Sequence, residues 1–259
     1  MRILVTNDDG IHAQGLAVAE KIARALCEDV WVVAPETEQS GASHSLTLAM
    51  PLRLREIDPR RFAVTGTPTD CVLMAIAELM ADSRPTLVLS GVNRGANLAD
   101  DVTYSGTIAG AMEGTALGVP SIALSQAYGP GGGQDVNWSC AESQGPHLIE
   151  QLVRIGWPAD VLMNVNFPDG DAGTVRGVEV TVQGKRDLQT ALLDRRIDAR
   201  GIPYYWIGFK RGRSDPPEGT DLRAIYERRI SVTPLHLNLT EFRERDRLKA
   251  AIEDIKPLS

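Results

Sequence analysis

The chain opens with Arg2-Ile3-Leu4-Val5-Thr6-Asn7-Asp8-Asp9-Gly10, and the predicted fold is built outward from this stretch. A short apolar run bounded by a polar turn is typical of a buried strand. This run ends in two adjacent carboxylates and a glycine that allows the backbone to turn. Adjacent ionised carboxylates repel each other, so placing them at the end of a buried strand has a cost that a bound cation would remove. An ordinary turn, with one aspartate capping the following helix, explains the same residues equally well.

The elements that follow extend this strand into a wound sheet. Apolar residues recur at helical spacing over about residues 14–28, and Val30–Ala34 is a second apolar run. A strand, a helix and a strand in this order begin a parallel, doubly wound sheet. Further buried strands are predicted at 86–90, 120–125 and 161–167, with helices at about 108–116 and 141–156. We therefore predict an α/β fold with a Rossmann-like, doubly wound, mostly parallel sheet.

Two features between residues 45 and 70 depart from this pattern. Residues 45–48, 52–55 and 62–65 alternate apolar with polar side chains, which predicts short, half-exposed strands inserted into the sheet. Gly66-Thr-Pro-Thr-Asp70 is a turn that leads into a helix, and Thr69 is its predicted N-cap.

The pattern changes again after about residue 170. Val175–Val182 and Pro203–Phe209 are strand-like and flank a charged segment from Lys185 to Arg200, which indicates a protruding β arm. A short helix at 218–227, a strand at 230–233 and a helix from a Thr240 cap to about Ile255 are predicted to follow. The basic residues of the arm are interleaved with acidic ones, which predicts a solvated or intersubunit face. These residues are Lys185, Arg186, Arg195, Arg196 and Arg200.

Composition argues against several classes of protein. The chain has 259 residues and is 43% hydrophobic, which is enough for a globular core. Its net charge of −7 argues against binding to long nucleic acids. The wide spacing of the three cysteines argues against a disulfide scaffold and against a structural zinc site. The absence of a signal-peptide pattern or a long apolar run predicts a cytoplasmic protein without membrane contact.

Polar side chains follow three of the predicted buried strands. Asp8 and Asp9 follow the first, Ser40 the second, and Asn93 the strand at 86–90. The carboxyl ends of parallel strands meet at one edge of the sheet, where such folds bind ligands. These side chains would supply only oxygen atoms, which favours Mg²⁺ or Mn²⁺ over zinc. The sequence therefore predicts one divalent cation at this edge.

A second group of residues indicates an anion site near the same edge. Ser105-Gly106-Thr107 stands at the start of the helix predicted at about 108–116, and backbone N–H groups at a helix start bind phosphate. A plain capping serine or threonine on a helix packed through small residues is the alternative, and such caps are frequent. The expected metal site favours phosphate. No Gly-x-Gly-x-x-Gly or P-loop pattern is present, which excludes the common nucleotide-binding turns.

Ordered motifs across nearly the whole chain resemble those of the SurE survival-protein family. They are Thr6-Asn-Asp-Asp-Gly-Ile11, Ser40-Gly-Ala-Ser43, Gly66-Thr-Pro-Thr-Asp-Cys71, Ser90-Gly-Val-Asn-Arg-Gly-Ala-Asn97, Tyr104-Ser-Gly-Thr107 and Ser231-Val-Thr-Pro-Leu-His236. The resemblance implies a divalent-metal-dependent phosphatase acting on nucleoside 5′- and 3′-monophosphates, and in some members on short polyphosphate. It also implies homodimers or homotetramers joined through the arm and the C-terminal segment.

The resemblance assigns roles residue by residue. It implies metal ligands at Asp8, Asp9, Ser40 and Asn93. We predict that Asp8 and Asp9 are also catalytic. It implies phosphate contacts at Asn97, Ser105, Gly106 and Thr107. We accordingly predict two regions: residues 1–182 form a Rossmann-like metal- and phosphate-binding catalytic core, and residues 183–259 form the β arm, return strand and C-terminal helix used for oligomerisation.

The chemistry leaves several alternatives open. Asp8 could orient or deprotonate an attacking water, or could attack phosphorus itself and form an aspartyl-phosphate. His236 could protonate the leaving group, although a hydrogen-bonded structural role is the favoured prediction. A metal-dependent nucleotide or phosphate sensor without enzymatic activity would use the same fold. A glycosyltransferase-like enzyme is a weaker alternative, because Ser105-Gly-Thr107 would have no task in it.

Overall fold

The computed structural model describes residues 1–129, 135–186, 189–211 and 215–252. Its strands are β1 (Ile3–Thr6), β2 (Val30–Pro35), β3 (Leu54–Asp58), β4 (Arg61–Val64), β5 (Leu87–Arg94), β6 (Ser121–Gln126), β7 (Val161–Phe167), β8 (Val178–Val180), β9 (Gln189–Ile197), β10 (Pro203–Arg211) and β11 (Ile230–His236). Its α-helices are α1 (Gln14–Leu26), α2 (Pro68–Met74), α3 (Gly106–Ala116), α4 (Ser139–Ile155), α5 (Asp221–Tyr226) and α6 (Phe242–Ile252).

One large sheet organises the chain. Its strand order is β3-β4-β2-β1-β5-β6-β7-β11-β8, and only the β3–β4 and β7–β11 pairs are antiparallel. The strands from β4 to β7 run parallel, with β1 at the centre. β9 and β10 form a separate antiparallel hairpin, which is the predicted arm. The prediction of an α/β, mostly parallel sheet with a β arm is confirmed.

Helices cover both faces of the sheet, as a doubly wound fold requires. Ile3 and Val5 of β1 pack with residues of α1 and α4 on one face. Leu4, which points to the other face, packs with residues of α2. Side chains alternate across a strand, so the apolar run of β1 is buried on both sides. The turn after it contains Gly10 at a φ of 101°, a conformation that favours glycine.

The prediction of a strand at residues 45–48 is wrong. The backbone there is hydrogen-bonded to the side chain of Asp70 and not to a neighbouring strand. Both the N–H and the hydroxyl of Thr47 donate to the carboxylate of Asp70, at 3.0 and 2.7 Å. Leu48 is 89% exposed, so the alternating pattern there does not face a core. The other two inserted strands are present as β3 and β4.

Two predicted helix caps are also wrong. The N-cap of α2 is Thr67, which forms a capping box with Asp70, whereas Thr69 lies inside the helix after Pro68. At α6, the Glu241 carboxylate accepts the N–H of Glu244, so the helix begins one residue after the position that a Thr240 cap requires. The predicted end of this helix near Ile255 lies outside the described residues.

Part of the C-terminal region belongs to the main unit. β11 lies within the large sheet between β7 and β8. α5 packs against the loop after β5 through Leu222 and Ile225, which contact Leu98. Among the described residues, no helix has the length and apolar character needed to cross a membrane.

Candidate metal and phosphate site

A cavity of about 450 Å³ lies at the carboxyl ends of β1 and β5, at the predicted edge of the sheet. Six of the eight predicted site residues line it, namely Asp8, Asp9, Ser40, Asn93, Asn97 and Ser105. The structure thus brings together residues that are far apart in sequence. Gly106 and Thr107 lie directly behind Asp8, as their contacts with it show.

Asp8 is the most deeply buried carboxylate of the site, with 4% of its surface exposed. Its Oδ1 accepts a hydrogen bond of 2.5 Å from the Thr107 hydroxyl. The pKa of Asp8 is raised to about 6, chiefly by burial and also by the negative charge of Asp9, although hydrogen bonds from Thr107 and from the Asp8 backbone N–H lower it. The remaining carboxylate oxygen, Oδ2, is available to a ligand.

Asp9 is half-buried and accepts the backbone N–H of Arg94 at 3.1 Å through its Oδ2. Burial raises its pKa as well, and Glu38 contributes in the same direction, whereas the Arg94 N–H and charge lower it. Two neighbouring carboxylates thus have raised pKa values, and Asp9 Oδ1 has no hydrogen-bond donor among the described residues. This is the electrostatic environment that a bound cation would relieve.

Asn93 reaches the cavity through an irregularity in β5. The register of β5 against β6 shifts between Ser90 and Asn93, which re-aims the end of the strand. The Asn93 amide nitrogen donates to the carbonyl of Gly95 at 2.8 Å. Its carbonyl oxygen is therefore left for a ligand. Ser40 lies at the exposed rim of the cavity, where its hydroxyl donates to Glu38 at 2.9 Å.

The start of α3 supplies the predicted anion-binding groups. Ser105 is the N-cap, and its hydroxyl accepts the N–H of Ile108 at 3.1 Å. The N–H groups of Gly106 and Thr107, the first two helical residues, have no hydrogen-bond acceptor among the described residues. A Cβ added to Gly106 would lie 2.7 Å from the Asp8 Cβ. Glycine is therefore required here by the close approach of Asp8.

Thr107 has a different environment from the one predicted. Its side chain is fully buried and its hydroxyl is used by Asp8, so only its backbone N–H is available to an anion. The Ser105 hydroxyl differs, because it accepts the Ile108 N–H and its own proton can still be donated to an anion. The start of α3 therefore has two roles: it contacts Asp8 directly, and it keeps free backbone N–H groups that could bind phosphate.

Sequence reasoning missed one part of the cavity wall. Arg186 lines the cavity with only 13% of its side chain exposed, and its guanidinium contacts the Asp101 carboxylate at 2.6 Å. Of the two alternatives predicted for the basic residues of the arm, a solvated or an intersubunit face, the solvated one is therefore wrong for Arg186. Tyr104, Tyr128 and residues of α5, including Tyr226, also line the cavity. Tyr104 stands in one of the family motifs, whereas the positions of the others depend on contacts across the fold and have no signal in the local sequence.

The histidines lie outside this arrangement. His44 contacts Glu113 at 2.9 Å, and His236 accepts the N–H of Asn238 at 2.8 Å through Nδ1. The structural role favoured for His236 is consistent with this contact. In the part of the chain that the structure describes, no group of three or more histidine, cysteine, aspartate or glutamate side chains could hold a metal ion. The predicted ligand set is of a different kind, because it has only two carboxylates and its other two members are a serine and an asparagine.

Known proteins resemble this chain over nearly its full length. A family model described as survival protein SurE matches residues 3–190. A protein of Parvibaculum lavamentivorans named 5′-nucleotidase SurE is 61% identical over 252 residues, covering 97% of this chain and 91% of its own length. A protein of Caulobacter vibrioides with the same name is 58% identical over 258 residues, covering 99% and 98%.

A crystal structure extends this resemblance to three dimensions. The SurE protein from Aquifex aeolicus is 38% identical to this chain, with a TM-score of 0.84 and coverage of 97% and 99% of the two chains. The family predicted from the ordered motifs is confirmed by these matches. Since the family model spans most of the chain and the relatives span nearly all of it, the chain belongs to the survival protein SurE family.

Proposed function

We propose that this chain hydrolyses nucleoside 5′-monophosphates to nucleoside and phosphate with the help of one divalent cation, Mg²⁺ or Mn²⁺. Action on 3′-monophosphates and short polyphosphate is part of the same proposal. The prediction of an enzyme of the 5′-nucleotidase class is confirmed by relatives of about 60% identity that carry this name. The observation that carries the proposal is a single cavity in which two partly unsatisfied carboxylates lie beside the first N–H groups of α3.

The donor atoms fit a hard divalent cation. Asp8 Oδ2, Asp9 Oδ1 and the carbonyl oxygen of Asn93 are left over from the protein's own hydrogen bonds, and Ser40 adds a hydroxyl at the rim. Oxygen ligands without histidine or cysteine favour Mg²⁺ or Mn²⁺. When bound, the cation would neutralise charge on the phosphoryl group and on these carboxylates.

The chain's own groups would then hold the phosphate. The N–H groups of Gly106 and Thr107 point from a helix start and suit the oxygens of a phosphoryl group. Asn97 contributes a side-chain amide from the loop after β5, and Ser105 contributes a hydroxyl at the cavity surface. Together these donors would orient phosphorus toward Asp8.

Asp8 is the residue that we propose to orient, and take a proton from, the attacking water. Water oxygen forms a bond to phosphorus as the bond to the nucleoside oxygen breaks, and the leaving oxygen then takes up a proton from solvent. Attack by Asp8 itself would place an oxygen of the aspartate on phosphorus. Acid quenching during turnover of AMP that carries radioactive phosphorus separates the two routes, since only direct Asp8 attack leaves labelled phosphate covalently bound to the protein.

The rest of the cavity suits a nucleoside. Phosphate alone does not need a cavity of about 450 Å³, and the remaining wall contains Leu222, Ile225 and three tyrosines, Tyr104, Tyr128 and Tyr226. Aromatic and apolar surface of this kind stacks on a base. We expect Tyr226→Ala to raise the KM for AMP while leaving inhibition by inorganic phosphate unchanged.

The test is phosphate release from AMP and GMP in the presence of Mn²⁺, with and without EDTA. We expect release that EDTA abolishes and that Asp9→Asn reduces at limiting Mn²⁺. Release that persists in EDTA, or full activity of Asp9→Asn at limiting Mn²⁺, would contradict the ligand assignment. Nucleotide binding without any phosphate release would favour the sensor. Panels of nucleotides, polyphosphate and sugar phosphates, each with Mg²⁺, Mn²⁺ and Zn²⁺, define the substrate and the metal.

We also propose that the arm joins copies of this chain into a homodimer or homotetramer. Leu193, Trp206 and Ile207 on the β9–β10 hairpin are all more than half exposed, which supports burial against a second copy. Light scattering of the full chain, compared between the wild type and Trp206→Ser, tests this assembly. The predicted cytoplasmic location stays a prediction from the sequence.

A further inference from the structure

Asn97 is held at the cavity by buried polar side chains that the proposed chemistry does not use. Its backbone N–H donates to Asn166 Oδ1 at 2.8 Å. Its carbonyl accepts from Asn164 Nδ2 at 2.9 Å and from Asn166 Nδ2 at 3.1 Å. Asn164 and Asn166 are fully buried on β7. The backbone of Asn97 is therefore fixed to the sheet on both its donor and its acceptor side.

A separate contact fixes the side chain of Asn97. Its Nδ2 donates to the hydroxyl of Ser125 at 2.8 Å, and Ser125 is fully buried on β6. This contact uses one of the two amide hydrogens. The second amide hydrogen and the carbonyl oxygen remain for a molecule in the cavity that Asn97 lines.

The sheet presents these anchors at neighbouring positions. Ser125 and Asn166 pair directly across the parallel β6–β7 ladder, and Asn164 lies two residues earlier on the same face of β7. Side chains on the interior of a sheet are held more precisely than those on loops. Asn97 itself lies on a loop, so its precision comes from these strands.

We propose that Ser125 and Asn166 are positioning residues that direct the Asn97 amide to a phosphoryl oxygen of the substrate. Asn166 fixes the backbone of Asn97 and Ser125 fixes its side-chain rotamer. The proposal rests on the proposed function, because it assigns the phosphoryl group as the partner of Asn97. Neither positioning residue touches the substrate, and each acts only through Asn97.

The primary test is the Ser125→Ala variant in steady-state hydrolysis of AMP with Mn²⁺. Losing one positioning hydrogen bond should lower kcat/KM about fivefold. The inhibition constant of inorganic phosphate should rise by a similar factor, while the apparent affinity for Mn²⁺ stays unchanged. Ser121→Ala is the matched control, because Ser121 is equally buried at the other end of β6 and donates to the Val119 carbonyl at 2.8 Å. We expect that control to match the wild type.

A double-mutant cycle with Asn97→Ala decides whether Ser125 acts through Asn97. In the Asn97→Ala background, Ser125→Ala should change kcat/KM by less than about twofold. Effects that multiply independently would overturn the proposal, as would wild-type kinetics in Ser125→Ala. Asn166→Ala gives a second cycle, and the Ser125 cycle stands alone if Asn166→Ala does not fold.

The proposed function and the positioning role fail in different ways. If the wild type releases no phosphate from AMP, the proposed function is contradicted. Binding of inorganic phosphate by calorimetry then decides the positioning role on the same variants. If Asn97→Ala keeps wild-type turnover and phosphate binding, Asn97 does not contact phosphate and the positioning role falls, while the proposed hydrolysis stands.

Discussion

Replacing Asp8 with asparagine should stabilise the metal-free protein while removing its activity. Asp8 is almost fully buried, and its pKa is raised from 3.8 to about 6, mainly by desolvation. The difference corresponds to about 3 kcal/mol of unfavourable free energy for the charged form in the folded state at neutral pH. The asparagine side chain would carry no charge at this position, and its oxygen could still accept the Thr107 hydroxyl.

The sign of the pH dependence follows from the raised pKa. Between pH 3.8 and about 6 the folded protein binds a proton at Asp8 more readily than the unfolded chain does. This contribution to stability is fully present below pH 3.8 and is lost as the pH rises through about 6. The advantage of Asp8→Asn over the wild type should therefore be largest at about pH 8 and should shrink as the pH falls toward about 5.

Thermal unfolding in EDTA measures this effect. An advantage of about 1–3 kcal/mol corresponds to a rise in Tm of roughly 2–12 °C for a chain of this size. The control is Asp82→Asn, which removes an exposed aspartate and should leave Tm unchanged. With saturating Mn²⁺ the order should reverse, because binding stabilises only the wild type. A Tm for Asp8→Asn at or below that of the wild type in EDTA, measured at about pH 8, would show that burial of the charged carboxylate is not the dominant cost.

Three further predictions concern the same end of the cavity. Thr107→Val removes a hydrogen bond to a buried charge, so it should destabilise the metal-free protein by about 2 kcal/mol in urea unfolding above neutral pH. The control is Thr115→Val, which loses only a hydrogen bond within α3 and should destabilise the protein less. Gly106→Ala should lower both AMP turnover and Mn²⁺ affinity because its methyl group displaces Asp8, whereas Gly173→Ala enters open space and should behave as the wild type. EDTA should lower the Tm of the metal-loaded wild type; an equal drop in Asp9→Asn would count against Asp9 as a ligand.

The convergence of the site could be predicted because it follows from topology. Asp8, Asp9 and Ser40 follow parallel strands, Asn93 lies near the carboxyl end of β5, and the carboxyl ends of such strands meet at one edge. The apolar runs of the strands predict this arrangement without any knowledge of side-chain contacts. The family motifs added Asn97, which no local pattern singles out.

What the sequence did not reveal depends on contacts between distant residues. The Asp70 carboxylate accepts hydrogen bonds from Thr47, 23 positions away, where the sequence predicts a strand at residues 45–48. Arg186 pairs with Asp101 across 85 positions, which converts a basic arm residue into part of the cavity wall. Neither alternation nor charge pattern encodes which distant partner a side chain meets, so neither contact could be predicted from the local sequence.

Buried polar atoms without partners collect at the end of β1 and beside it on β5. Thr6 Oγ1, Asn7 Oδ1 and Ser90 Oγ have no hydrogen-bond partner among the described residues, and Asp8 and Asp9 follow directly with raised pKa values. Each such group costs free energy that an apolar residue of similar size would not. A fold selected for stability alone would fill this position, at the centre of its sheet, with apolar side chains. The strand that organises the core thus ends in polar residues that the core does not need, and a cation bound in the cavity would explain the two of them that line it, Asp8 and Asp9.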